Sequence, residues 1–336
     1  MSSRIINYWY QPSVWNLPRY LFFIVPVLIA LSFLYRGIVA LRRACYKSGI
    51  KKINRLNVPV IIVGNITVGG AGKSPLVLYL SEYLVAQGWR PGIISRGYRG
   101  ASNHLPQRVS SDSDPFLVGD EPVMMAKQTT CPIVVCRDRV AAAKALLAQT
   151  DCNIIISDDG LQHYALYRDI EIAVMAAERR SGNGYCLPVG PLREPIARLN
   201  EVDFVCVQGE DMRCIPGSIY QIVNHQAILD SEHVTHCPIH AVAGIGHPQP
   251  FFAMLRSQGL QITEHVFPDH HLFTAQDIDF GFESLVIMTE KDAVKCKHFA
   301  DDRHWCLPIS LEVSPLFLEK FGKKLGEVRS EVEISH

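Results

Sequence analysis

From residue 57 onward, short runs that are apolar at every position alternate with longer segments whose apolar residues recur at helical spacing. "VPVIIVGN", "RPGIISRG", "CPIVVC", "NIIISDDG", "DIEIAVM" and "DFVCVQG" read as strands. A strand without polar alternation is covered on both faces, as in a parallel sheet between two helical layers. "SPLVLYLSEYLVAQG", closed by Gly88, and "DRVAAAKALLAQ" supply helices between them. Past about residue 226 acids and histidines increase. There "HAVAGIG", "SLVIMTE" and "WCLPISLEV" read as strands, and "PFFAMLRSQG" and "EKDAVKCKHF" as helices. The expectation is an α/β protein with a mostly parallel sheet over residues 57–225 and a second, smaller α/β lobe over 226–336. The chain shows no internal repeat and no low-complexity tract.

Residues 1–56 have a different pattern. "YLFFIVPVLIALSFLY", residues 20–35, carries no charge between Arg19 and Arg36. As a helix it spans about 24 Å, against the roughly 20 residues that cross a bilayer core, with Pro26 near its middle. Seven Lys/Arg and no acid lie between Arg36 and Arg55. The run begins too late for a signal peptide and lacks a clean small-residue cleavage site. This N-terminal hydrophobic helix reads as a membrane anchor, either a short span or a helix lying in one leaflet; the plainer alternative is a buried core helix. Trp9, Tyr10, Trp15 and Tyr20 are candidates for the interface.

Composition sharpens that picture. The net charge of zero hides an asymmetry: residues 1–81 hold ten Lys/Arg and no Asp or Glu, leaving the remainder with 23 bases against 33 acids. A basic N-terminal part on an acidic body points to an anionic surface and places the chain beyond residue 36 on the cytoplasmic side. The ten cysteines contain no C-x-x-C pair and read as reduced, mostly buried thiols rather than a zinc site.

The segment "VIIVGNITVGGAGKSPLVLYL", residues 60–80, joins strand to helix through a glycine cluster ending in Lys73-Ser74. Such a loop aims backbone N–H groups at phosphate oxygens, while Lys adds charge and Ser holds Mg²⁺. Thr67 occupies the place of the usual first glycine. Pro75 suits a first helical turn. The nucleotide-binding residues are then Thr67, Val68, Gly69, Gly70, Ala71, Gly72, Lys73 and Ser74, and the fold reads as P-loop NTPase-like. Asp158 and Asp159, at the end of "NIIISDDG", are candidate Mg²⁺ carboxylates, although Asp-Asp-Gly is also an ordinary turn.

Taken together, "GNITVGGAGKSP" (64–75), "SRGYRG" (95–100), "GDEP" (119–122), "SDDGLQH" (157–163), "GPLREP" (190–195), "FPDHH" (267–271) and "TEKDAVK" (289–295) resemble the tetraacyldisaccharide 4′-kinase, or lipid A 4′-kinase, family. In that family Thr or Ser is expected at the position of Thr67; Leu161 stands where Phe is common. The resemblance implies ATP-dependent, Mg²⁺-assisted phosphorylation of the 4′-hydroxyl of a tetraacyldisaccharide 1-phosphate, a lipid A precursor. It also implies attachment to the cytoplasmic face of the inner membrane. The expected partners are that precursor and membrane lipids, with no nucleic acid and no obligate protein partner.

Within that resemblance, Lys73 contacts the β- and γ-phosphates, Ser74, Asp158 and Asp159 serve the metal, and Glu194 reaches the metal region. Asp120 is the expected general base, with Glu121 as the alternative, and a histidine of "FPDHH" cooperates with it: His270, or else His271. Arg96, Arg99 and Arg193 are candidates for anion contacts, since a guanidinium donates two parallel hydrogen bonds to phosphate, and Tyr98 for the substrate. Lys291 and Asp292 are candidates for reading the nucleotide base. The competing reading is a membrane-attached P-loop switch or chaperone-type NTPase, for which "TEKD" is the nearest approach to a guanine-reading motif. A soluble small-molecule kinase is the third.

Overall fold

A computed structural model describes residues 8–10, 24–69, 72–98, 100, 105–177, 179–229 and 237–334. Gly70, Ala71, Arg99, Trp15 and Tyr20 lie outside the described residues.

The large sheet has nine strands among the described residues. Its parallel centre is β6 (Ile170–Ala176), β1 (Val60–Gly64), β5 (Ile154–Asp158), β2 (Pro91–Ser95) and β4 (Ile133–Val135), in that order. β7 (Phe204–Gln208) continues it in parallel beyond β6. Antiparallel strands close both edges: β3 (Gln107–Val109) beside β4, and β14 (Ile309–Val313) beside β8 (Met212–Pro216). β1, β2, β4 and β5 are buried at every position, which explains their unbroken apolar runs.

Helices cover both faces. On one, α2 (Lys73–Ala86) and α3 (Asp120–Gln128) pack with α7 (Pro315–Ile334) through Leu76, Leu80, Met125, Phe317 and Phe321. On the other, α4 (Arg139–Gln149) packs Val140, Ala143 and Leu146 against Ile62, Ile94 and Ile155. Asp138 caps α4 by accepting from Val140 N and Ala141 N. The small sheet orders β11 (Ile262–Val266), β10 (Ile239–Ala243), β12 (Leu285–Thr289), β13 (His304–Leu307) and β9 (Tyr220–Gln221), with α5 (Gln249–Ser257) and α6 (Glu290–Cys296) beside it.

The sheets do not divide the chain at 225/226. β9 lies before that point yet pairs with β13 of the small sheet. "WCLPISLEV" is two strands in two sheets, separated by Pro308: β13 pairs with β12, and β14 returns to β8 of the large sheet. α7 then packs Phe321 on Tyr83 of α2, with ring centroids 5.8 Å apart. A continuous apolar run does not reveal a change of sheet, because each half is buried by a different partner.

The N-terminal helix also differs from expectation. α1 runs from Ile24 to Lys47, through the basic stretch, and Pro26 falls in its first described turn rather than at its middle. α1 is docked along its length. Val25 is buried with Val189, Ser32 Oγ donates to the Cys186 carbonyl at 2.7 Å, and Tyr35 OH donates to the Arg193 carbonyl at 3.0 Å. Arg43 and Lys47 both pair with Glu201. The flank the body leaves uncovered carries an exposed stripe of Ile24, Val27, Leu31, Leu34, Ile38 and Leu41. Trp9 and Tyr10 pack on the body: Trp9 is buried and donates from Nε1 to the Pro188 carbonyl, and Arg179 lies over the Tyr10 ring.

Candidate active site

The site sits at the carboxyl ends of β1, β5 and β2, where open α/β sheets bind ligands. β1 ends at Gly64, where a Cβ would lie 2.7 Å from Leu161 Cγ, so only glycine lets the strand pass beneath that side chain. The loop after it is braced from outside. Val68 N donates to the Pro191 carbonyl at 2.8 Å, Arg193 N to the Ile66 carbonyl at 2.7 Å, and Thr67 bridges to Leu192. "GPLREP" therefore acts as a splint for the phosphate loop. Asn65, fully buried, ties the loop together by donating to the Gly69 carbonyl. Gly72, at φ +81°, turns the chain into α2 and leaves Lys73 and Ser74 in its first turn, among the N–H groups that no helical carbonyl satisfies.

Opposite the loop stand the two aspartates. Asp159, at φ +47°, receives Arg193 Nη1 at 3.0 Å on both oxygens and lies 3.6 Å from Lys73 Nζ. Burial alone would raise its pKa, but the charges of Lys73 and Arg193 override that and hold the carboxyl far below the usual range. Asp158 differs. Ser95 Oγ donates to its Oδ2 at 3.1 Å, while Oδ1 is buried with no partner. Burial, reinforced by the negative charges of Glu121 and Asp159, pushes it up to about 7. Behind the pair, buried Arg139 donates from Nη2 to the carbonyls of Asp158 and Asp159, and burial lowers its own pKa to about 10.

The structure sorts the remaining candidates on this side. Arg193, expected to meet substrate anions, is engaged by Asp159. Glu194, expected near the metal, has no exposure and accepts from Tyr164 OH and, at 3.0 Å, from Gln162 Nε2; it joins the centre through Gln162, which also approaches Arg193. Arg96 is exposed at the end of β2.

The second half of the site assembles from three distant segments. Gly119, at φ +97°, starts α3 with Asp120 as its first residue. His270 lies in the turn after β11 at φ +59°, its N–H donating to the Gly244 carbonyl. Its Nδ1 stands 2.9 and 3.1 Å from the two oxygens of Asp120. Burial favours the neutral form of Asp120, but the His270 hydrogen bond and the charges of Lys291 and Lys295 outweigh it, and the pKa falls below the ordinary value. Tyr98 sits against the His270 ring at 5.2 Å between centroids, half exposed toward solvent. Of the two histidines, His270 meets Asp120, whereas His271 faces Asp277 and packs between Phe267 and Phe273.

Lys291 and Asp292 do not form a base-reading pair. Lys291 Nζ lies 3.0 Å from Glu121, 3.3 Å from Asp269 and 3.3 Å from His270 Nε2. Asp292 is fully buried, accepting from Gly244 N and Thr289 Oγ1 and pairing with Lys295 at 2.7 Å, so it pins the end of β10 to the start of α6. "TEKD" thus belongs to the Asp120 centre, which removes the support for a guanine-reading switch. Asn65, Arg139, Gln162 and Lys295 were not singled out by the sequence; Arg139, Gln162 and Lys295 act through contacts between separate segments, and Asn65 through contacts inside the loop.

The family model described as Tetraacyldisaccharide-1-P 4′-kinase matches residues 24–326 of this chain. The chain belongs to the tetraacyldisaccharide 4′-kinase family. It is 46% identical over 317 residues to the tetraacyldisaccharide 4′-kinase of Coxiella burnetii (strain RSA 493 / Nine Mile phase I), covering 94% of this chain and 95% of that one. Identity to the Alkalilimnicola ehrlichii tetraacyldisaccharide 4′-kinase is 47% over 307 residues, covering 89% of this chain and 92% of that one. Among solved structures, LpxK from Aquifex aeolicus, described as an "apo" form in complex with ATP, superposes with a TM-score of 0.76 at 26% identity, covering 90% of this chain and 98% of that one. The 4′-kinase family match spans both sheets and all seven segments that carried the resemblance.

Proposed function

We propose that this kinase transfers the γ-phosphate of ATP to the 4′-hydroxyl of a tetraacyldisaccharide 1-phosphate at the cytoplasmic face of the inner membrane. The reading rests on one juxtaposition: the end of β2 touches both groups, Ser95 donating to Asp158 at 3.1 Å and Tyr98, three residues on, packing against His270 of the Asp120–His270 pair. A phosphate donor site thus adjoins a carboxylate able to take a hydroxyl proton.

Phosphoryl transfer asks mainly for positioning and charge neutralisation. The loop N–H groups and Lys73 hold the β- and γ-phosphates. Asp120 accepts the proton of the 4′-hydroxyl as that oxygen bonds to the γ-phosphorus and the bond to the ADP oxygen breaks. No group of three or more His, Cys, Asp or Glu stands ready to cage a metal among the described residues. Mg²⁺ fits such a site because it keeps waters and substrate phosphates as ligands. Ser74 Oγ and the unpartnered Oδ1 of Asp158 would hold it, and bound there it would neutralise charge on the β- and γ-oxygens. Asp159 keeps Lys73 and Arg193 in place, and Glu194 supports Arg193 through Gln162. Tyr98 and Arg96 line the acceptor side.

α1 serves this chemistry as a helix lying in one leaflet. It is the one described helix long and apolar enough to cross a bilayer. Its contacts with the body at Ser32 and Lys47, its exposed stripe and the flanking Arg36, Arg42, Lys51 and Lys52 support a place at the headgroup boundary. Incubation with γ-labelled ATP and acylated disaccharide 1-phosphate tests the function. Label is expected in the lipid; ATP hydrolysis with none in the lipid would refute the reading.

A further inference from the structure

An ammonium group has three hydrogens and no lone pair, so each of its contacts must be an acceptor. Lys291 Nζ has three: Glu121 Oε1, Asp269 Oδ1 and His270 Nε2, at 3.0, 3.3 and 3.3 Å. The Lys291 side chain is only 13% exposed, and opposite charges surround it, so it stays protonated: burial works against the charge, but Glu121, Asp120 and Asp269 together raise its pKa above the ordinary value. His270 Nε2 must then present its lone pair. The ring proton sits on Nδ1, which is the atom facing both oxygens of Asp120.

We propose that Lys291 is a positioning residue that fixes His270 as the Nδ1–H tautomer and thereby makes Asp120, and not His270, the proton acceptor at the 4′-hydroxyl. The inference rests on the reading of Asp120 as base. With Nε2 held by Lys291, His270 has no free lone pair to offer substrate. Its role is to donate to Asp120 and hold that carboxylate in one orientation. The 4′-hydroxyl proton moves to the Asp120 oxygen, the oxygen–phosphorus bond forms, and ADP departs with the electrons of the broken bond. The same ammonium binds Glu121, which keeps that neighbouring carboxylate from competing as base.

Nitrogen NMR of the full-length protein with ¹⁵N-labelled histidine, with the His270 signals assigned by loss in His270→Gln, reads the tautomer directly. Wild type is expected to carry the proton on Nδ1 with Nε2 unprotonated. In Lys291→Met the neutral Nε2–H form should gain population and kcat should fall about 100-fold, with KM for ATP within about threefold. Lys291→Arg, which still donates to Nε2, should restore most of the tautomer and the rate. A wild-type His270 carrying its proton on Nε2, or Lys291→Met with unchanged tautomer and full kcat, would overturn the proposal. The wild-type spectrum decides it even where Lys291→Met does not fold. Failure of the base reading shows separately, as normal kcat in Asp120→Ala with the wild-type tautomer unaffected.

Discussion

The phosphate loop takes its form from consecutive residues, 64–74, with "GPLREP" splinting it, whereas the Asp120 centre joins α3, the turn after β11 and the start of α6, up to 170 positions apart. Their electrostatics differ as well. In the loop half, cations serve a carboxylate: the charges of Lys73 and Arg193 favour the ionised form of Asp159, and Asp158 keeps a bare oxygen. In the acceptor half, the His270 hydrogen bond and the charges of Lys291 and Lys295 favour the ionised form of Asp120, the proposed base, although it is almost fully buried. The loop half takes its shape from its own backbone and from the one segment that splints it. The acceptor half needs two sheets to come together before Asp120, the proposed base, meets His270.

That difference can be broken at each side. Lys73→Ala should cost the most, about 1,000-fold in kcat/KM for ATP, while binding of the lipid acceptor stays normal; steady-state kinetics with both substrates varied would show whether the halves separate. Asp158→Asn tests the unpaired carboxylate through stability. Its pKa is raised from 3.8 to about 7, so the native state holds the proton more tightly than the unfolded chain. The stability this gives is full below about pH 4 and is lost as pH rises through about 7. Metal-free Asp158→Asn should therefore exceed wild type on the order of 4 kcal/mol at pH 8 and match it near pH 4, by denaturant titration at the two pH values.

Leu31→Asp with Leu34→Asp acts on delivery of the acceptor. Partition onto anionic vesicles should fall about 100-fold in a sedimentation assay, with ATP affinity in detergent unchanged. Gly64→Ala brings a methyl group to 2.7 Å from Leu161 Cγ. It should destabilise the protein by roughly 1–2 kcal/mol, seen as a lower Tm, and loosen the loop half alone.

The sequence made the loop half legible because strand, glycine turn, Lys73-Ser74 and helix are neighbours in the chain, and Asp158-Asp159 end a recognisable strand. The acceptor half was legible only through the family resemblance. "GDEP" and "DHH" taken alone are turn and cap sequences, and nothing local separates His270 from His271; the tertiary contact to Asp120 does. Lys291 and Asp292, candidates for reading the nucleotide base, stand next to each other on α6, yet their side chains meet different partners. The run "WCLPISLEV" concealed a change of sheet at Pro308, and the charge of Arg36 suggested a helix end that the docking of Tyr35, Arg43 and Lys47 overrides.

The central claim, that Asp120 performs the proton transfer while the loop half binds the nucleotide, is tested most directly by Asp120→Ala in single-turnover phosphate transfer together with equilibrium ATP binding. The rate of transfer should fall about 1,000-fold with the Kd for ATP within about threefold. A near-normal rate, or a loss of rate matched by an equal loss of ATP affinity, would contradict it.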